Sequence, residues 1–142
     1  MAELTKVDVE GWPRPKGYAN GMLTAGEGER ILFVAGQVGW IDEKVPTADF
    51  AEQFGIALDN VLAVVRAAGG DATSIARMTV YVTDIPAYRA AQRRLGEIWR
   101  EKMGRHYPVM ALLGIAELVE EGAKLEIEAT AVLTRAVLER AD

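Results

Sequence analysis

The stretch HYPVMALLGIAELVEEGAKLEIEATAVL, residues His106 to Leu133, decides how this chain is read. It divides into two strands joined by a loop. From Val109 to Ala116 nearly every position is apolar, the pattern of a strand covered on both faces. From Lys124 to Leu133 the pattern alternates. Leu125, Ile127, Ala129, Ala131 and Leu133 fall on one side, and Glu126, Glu128 and Thr130 on the other. A buried strand beside one that presents two carboxylates is the expected floor of a pocket. An ordinary half-solvated strand carries the same pattern, so periodicity alone leaves both readings open.

Working back toward the N-terminus, the segment Asp49–Ala68 has a broad apolar stripe through Phe50, Phe54, Leu58, Val61 and Val65. Asp49 is placed to cap it, and Gly69 and Gly70 end it. A second helix starts at Asp84, with Pro86 in its first turn, and runs to about Met103, where Gly104 closes it. Between the helices, SIARMTVYVT (Ser74–Thr83) alternates as a strand. Tyr18–Ala25 and Ile31–Ala35 read as a hairpin with a tight connection, GEGER, in which Gly26 and Gly28 are free to adopt positive φ. Residues 1–16 are polar and carry Pro13 and Pro15, so they read as an extended arm with little structure of its own; residues 134–142 read as a polar tail. The expected order is ββαβαββ, an α+β domain over residues 17–133. Two amphipathic helices cover one face of such a sheet. Yet Ile31–Ala35 and Val109–Ala116 look buried on both sides, and no sequence remains to cover the second face. Another copy of the chain is the economical answer, so the pattern predicts an obligate homo-oligomer.

Composition narrows the chemistry. The chain has 142 residues, half of them apolar, and a formal net charge of −5. That charge argues against nucleic acid as a partner, which needs a basic face. There is no cysteine, which excludes disulfides and thiolate chemistry, and the single histidine, His106, cannot build a multi-histidine metal site. In this setting a lone histidine is expected as a hydrogen-bonded edge residue. No apolar run approaches the roughly 20 residues of a membrane span, and the expected location is cytoplasmic.

Six stretches together resemble the RidA/YjgF family, the reactive-intermediate (enamine/imine) deaminases. They are GYANG (Gly17–Gly21), LFVAGQVG (Leu32–Gly39), ALDNVLAVVRAAGG (Ala57–Gly70), TVYVTDIPAY (Thr79–Tyr88), YPVMA (Tyr107–Ala111) and LEIEATAV (Leu125–Val132). They occur in family order and spacing, and the VAGQVG wording is similar to the divergent YjgH-like branch. The resemblance implies a fold like that of bacillary chorismate mutase, with three subunits packing their sheets into a central β-barrel as a homotrimer. It also implies inter-subunit clefts where an enamine or imine is hydrolysed to a carbonyl compound and ammonia, with no metal and no organic cofactor.

Residue by residue, Glu126 matches the family position that handles the water, so it takes the general acid/base role. Glu128, two residues along the same face, is assigned a structural role. Tyr18 matches a tyrosine that lines the cleft, and Gly36 lets backbone approach the ligand. The departure is Met110. It stands where the prototype deaminases carry an arginine that anchors the substrate carboxylate, and a thioether offers no charge. Arg93 is the candidate replacement cation, and Trp40 with Met110 the candidate apolar lining. The expected ligand is therefore an imine or enamine other than 2-aminoacrylate. The second reading, from a different class, is a non-catalytic trimeric module that binds a small metabolite or another protein. A ribonuclease or translation-initiation-inhibitor activity, labels attached to this family, is disfavoured by the acidic charge and the lone histidine.

Overall fold

The computed structural model describes residues 3–134. Apart from Thr134, the expected polar tail lies outside the described residues. The elements are β1 (Leu4–Val7), β2 (Gly21–Thr24), β3 (Arg30–Gln37), α1 (Phe50–Ala67), β4 (Ile75–Val82), α2 (Ile85–Met103), β5 (Val109–Gly114) and β6 (Leu125–Leu133). They form one six-stranded sheet in the order β1-β2-β3-β6-β4-β5. All neighbours are antiparallel except β4 and β5, which the α2 crossover makes parallel.

Both helices start as the sequence predicts. The Asp49 carboxylate accepts from the Glu52 amide at 2.9 Å, and that of Asp84 from the Ala87 amide at 3.1 Å. The apolar stripe of α1 packs on β3 and β6, and α2 joins the same core through Leu95, Trp99 and Met103. On β6 the predicted alternation holds: Leu125, Ile127, Ala129, Ala131 and Leu133 are all buried beneath the helices.

Three features differ from the sequence reading. First, the N-terminal arm supplies an edge strand. Leu4–Val7 pairs with Gly21–Thr24, although only Val7 is buried, so backbone bonds to β2 and a single apolar anchor suffice. Second, the two strands of the 106–133 stretch are not neighbours, because β4 lies between them and β6 sits at the centre of the sheet. Antiparallel β6 takes a partner on each side, which leaves β5 only the outer edge of β4. Third, β5 is not covered on both faces within the chain. Val109 is 70 % exposed and Leu113 47 %. An apolar run reports that a strand avoids water, but not whether its own chain does the covering. The face away from the helices also exposes Ile31 and Phe33 on β3.

Candidate functional site

At the end of the sheet where β3 leaves β6, the ladder is irregular. Val34 pairs with Ala129 and Gln37 with Ile127, so Ala35 and Gly36 together face the single residue Glu128. This is a β-bulge, a device that bends a strand and re-aims its neighbours, often beside active sites. Its consequence here is room. A Cβ added to Gly36 would lie 2.7 Å from both Cδ and Oε1 of Glu126, so only glycine lets that carboxyl occupy the space above β3. The requirement is steric rather than conformational.

The segment after the bulge is fastened to α1. Asn60 Nδ2 donates to the carbonyls of Val38 (3.1 Å) and Trp40 (3.0 Å), and Gly39 sits against the Gln53 backbone, where a Cβ would come within 2.6 Å of its carbonyl oxygen. Gln53 in turn ties down the loop before β6. Its Nε2 donates to the Gly122 carbonyl at 3.0 Å, and its Oε1 accepts from the Lys124 amide at 2.8 Å. Two buried amides on one helix thus hold two loops in place, and among the described residues no buried side-chain nitrogen or oxygen is left without a partner.

Between these loops lies a cleft of about 830 Å³. Glu126 and Tyr81 form its floor, opposite each other across β6 and β4. Gly36, Gln37 and Trp40 line one side, the loop from Ile115 to Glu120 another, and the N-terminal stretch from Trp12 to Tyr18 a third. Trp40 is held by its indole N–H, which donates to Gln37 Oε1 at 3.0 Å, and by the edge of Trp12, with ring centroids 4.7 Å apart.

The two carboxylates of β6 are placed differently. Glu128 accepts a 2.6 Å hydrogen bond from the Tyr81 hydroxyl, whereas Glu126 makes no hydrogen bond or ion pair among the described residues. Burial raises the Glu126 pKa above the ordinary carboxylate value, and the like charge of Glu128 raises it further. Tyr81 is raised as well, chiefly by its bond to Glu128. The result is a half-buried carboxyl with unused oxygens that holds its proton to higher pH than an exposed glutamate does. Such a group can move protons for a bound ligand.

Of the residues singled out from sequence, Glu126, Tyr18, Gly36 and Trp40 meet in this cleft. Met110 and Arg93 do not line it. Met110, 44 % exposed on the edge strand, pairs with Met78 and shares its side of the sheet, the side away from Glu126. Arg93 is exposed on α2. His106 is the hydrogen-bonded residue expected of it, with Nε2 2.6 Å from the Ile75 carbonyl oxygen, outside the cleft. Sequence reasoning missed Tyr81, Gln37, Trp12, Arg14 and Lys16. Tyr81 was legible in principle, because it shares the alternating face of TVYVT with Thr79. The others depend on a fold-back that no periodicity encodes. Among the described residues no group of three or more acidic or histidine side chains could hold a metal ion, and no helix is long and apolar enough to cross a membrane.

Comparison with known proteins agrees with this architecture. The family described as Endoribonuclease L-PSP matches residues 16–133. The rat 2-iminobutanoate/2-iminopropanoate deaminase is 32% identical over 107 residues, covering 73% of this chain and 74% of its own length. The human protein of the same name is 28% identical over 106 residues, covering 73% and 74%. The crystal structure of Escherichia coli TdcF with bound serine superposes with a TM-score of 0.76 at 28% identity, over 92% of this chain and 99% of that one. By its profile, its relatives and its fold, the chain belongs to the Endoribonuclease L-PSP (YjgF/RidA) family.

Proposed function

We propose that this protein hydrolyses reactive enamine or imine intermediates to a carbonyl compound and ammonia in the Glu126 cleft. The observation that carries the reading is the state of Glu126: half-buried, unpaired, raised in pKa, and given space by Gly36. Relatives named as deaminases of 2-iminobutanoate and 2-iminopropanoate support the reaction class.

The protein's part in the reaction follows from proton bookkeeping. An enamine needs a proton on carbon to become an iminium, and protonated Glu126 supplies it. The resulting carboxylate takes a proton from water as the water oxygen bonds to the C=N carbon. The amine of that adduct is then protonated and leaves as ammonia when the C–N bond breaks, while the hydroxyl gives up its proton and becomes the carbonyl. One group with a raised pKa serves both as acid and as base. Tyr81 and Glu128, bonded to each other, form the fixed charge beside it. The uncharged Met110 at the prototype arginine's position lies outside this cleft, so the expectation of a substrate other than 2-aminoacrylate rests on the family resemblance alone.

The working form is a homotrimer with a central barrel, in which neighbouring copies cover the open sheet face and close the clefts. Its support is the exposure of Phe33, Val109 and Leu113 on that face, a surface that a lone chain would leave in water. The test is ammonia release from imines generated in situ by an amino-acid oxidase or a pyridoxal-dependent dehydratase. Turnover by the wild type and its loss in Glu126→Gln are expected. Equal rates in the two proteins would overturn the assignment.

A further inference from the structure

The cleft carries a second chemistry that Glu126 does not use. Trp12, Pro13, Arg14, Lys16 and Tyr18, all from one stretch, line it. The prolines among them keep the stretch extended. Pro13 and Pro15 fix their own φ, and each pushes the residue before it, Trp12 and Arg14, toward extended backbone. The stretch is also anchored on both sides. The Trp12 amide donates to the Val9 carbonyl at 3.1 Å and its ring meets Trp40, while the Asn20 carbonyl accepts from the Ala35 amide at 2.8 Å, beside the bulge. Arg14 therefore projects from a stiff, tethered wall.

Neither cation is neutralised. Among the described residues the ion pairs are Arg94 with Asp49 and Glu52, and Lys102 with Asp59, all on or beside the helices. Arg14 and Lys16 make none, although Glu43, Glu117, Glu120 and Glu126 line the same cleft. The cleft is thus polarised, with cations on the N-terminal wall and carboxylates on the floor and remaining rim.

We propose that Arg14 and Lys16, rather than the β5 position that Met110 occupies, form the wall that holds the carboxylate of a bound imine, with the C=N end toward Glu126. This rests on the deaminase reading above and adds which side chains of this chain hold the substrate. A 2-imino acid in its iminium form is charge-separated, and the polarised cleft matches it end for end. The guanidinium of Arg14 offers two parallel donors to the carboxylate, and Lys16 adds a point charge. The acidic rim disfavours the reversed pose.

The test uses the full-length protein and two probes, 2-oxobutanoate and its uncharged amide, 2-oxobutanamide, with fluorescence of Trp12 and Trp40 reporting binding. Wild type should bind the carboxylate more tightly than the amide. Arg14→Gln with Lys16→Gln should weaken the carboxylate by about 30- to 100-fold while leaving the amide within about twofold, and Arg14→Lys should restore part of the loss. In turnover, the double variant should raise KM for carboxylate-bearing imines and leave kcat nearly unchanged. Carboxylate binding that is absent in wild type, unaffected by the double substitution, or weakened equally with the amide would overturn the proposal. Ammonia release insensitive to Glu126→Gln would instead remove the deaminase reading, and the binding result would stand by itself.

Discussion

The odd-numbered residues of β6 face the helices, and the even-numbered ones face the open side of the sheet. On the first side Leu125, Ile127, Ala129, Ala131 and Leu133 disappear into one apolar core. On the second, Glu126 and Glu128 stand two residues apart with different fates, one unpaired in a cleft and the other bonded to Tyr81. A single strand thus separates stability from chemistry by the pleat alone. The two faces should respond to substitution independently.

The largest effect is expected at Glu126. Replacement by Gln should lower kcat/KM for imine hydrolysis by about 10²- to 10⁴-fold, the span of a lost general acid/base, with the oligomeric state unchanged in size-exclusion chromatography. One position along, Ile127→Ala should do the reverse. It should destabilise the protein by about 2–5 kcal/mol in denaturant unfolding, through lost burial and a cavity, while the activity of the molecules that remain folded stays near wild type. If Ile127→Ala instead abolishes activity in folded protein, the two faces are coupled and the comparison fails.

Gly36→Ala tests the space that the bulge creates. The new methyl group would stand 2.7 Å from the Glu126 carboxyl and must displace it. A roughly tenfold or greater loss of kcat is expected, because a displacement of about 1 Å is costly at a reacting group.

Smaller effects concern pH. The Glu126 pKa is raised first by burial and then by Glu128. Glu128→Gln removes the second cause and keeps the first, so the alkaline limb of the pH–rate profile for an enamine, which follows loss of the Glu126 proton, should move to lower pH without reaching that of an exposed glutamate. A shift to higher pH would contradict the placement. Stability gives an independent reading. A carboxyl whose pKa is raised on folding binds its proton more tightly in the native state. It therefore costs stability above the unfolded pKa and nothing below it. Glu126→Gln should melt higher than wild type at pH 7, and the gain should vanish near about pH 3.5, below the ordinary glutamate value.

Local pattern gave the helices, their aspartate caps, the hairpin of β2 and β3, and the two faces of β6, because burial periodicity and capping are written within a few residues. The family resemblance, rather than local pattern, pointed to four residues of the cleft, Glu126, Tyr18, Gly36 and Trp40. Local pattern failed where meaning depended on a distant partner. Leu4–Val7 looks like an arm until β2 offers its edge. Val109–Gly114 looks like an interior strand, but within the chain it lies at the sheet edge. Gln53 and Asn60 interrupt an apolar helix face and betray their purpose only when the loops they hold are in view.

The sequence by itself determined the family, the identity of the elements and the presence of two carboxylates on one strand face, since these rest on residue order and short-range geometry. Only the tertiary structure decided which carboxylate is free, that a bulge and Gly36 make its space, and that Arg14 and Lys16 rather than Arg93 share its cleft. Those are relations between residues some twenty to more than a hundred positions apart, and their distances are set by how strands pair and loops are pinned.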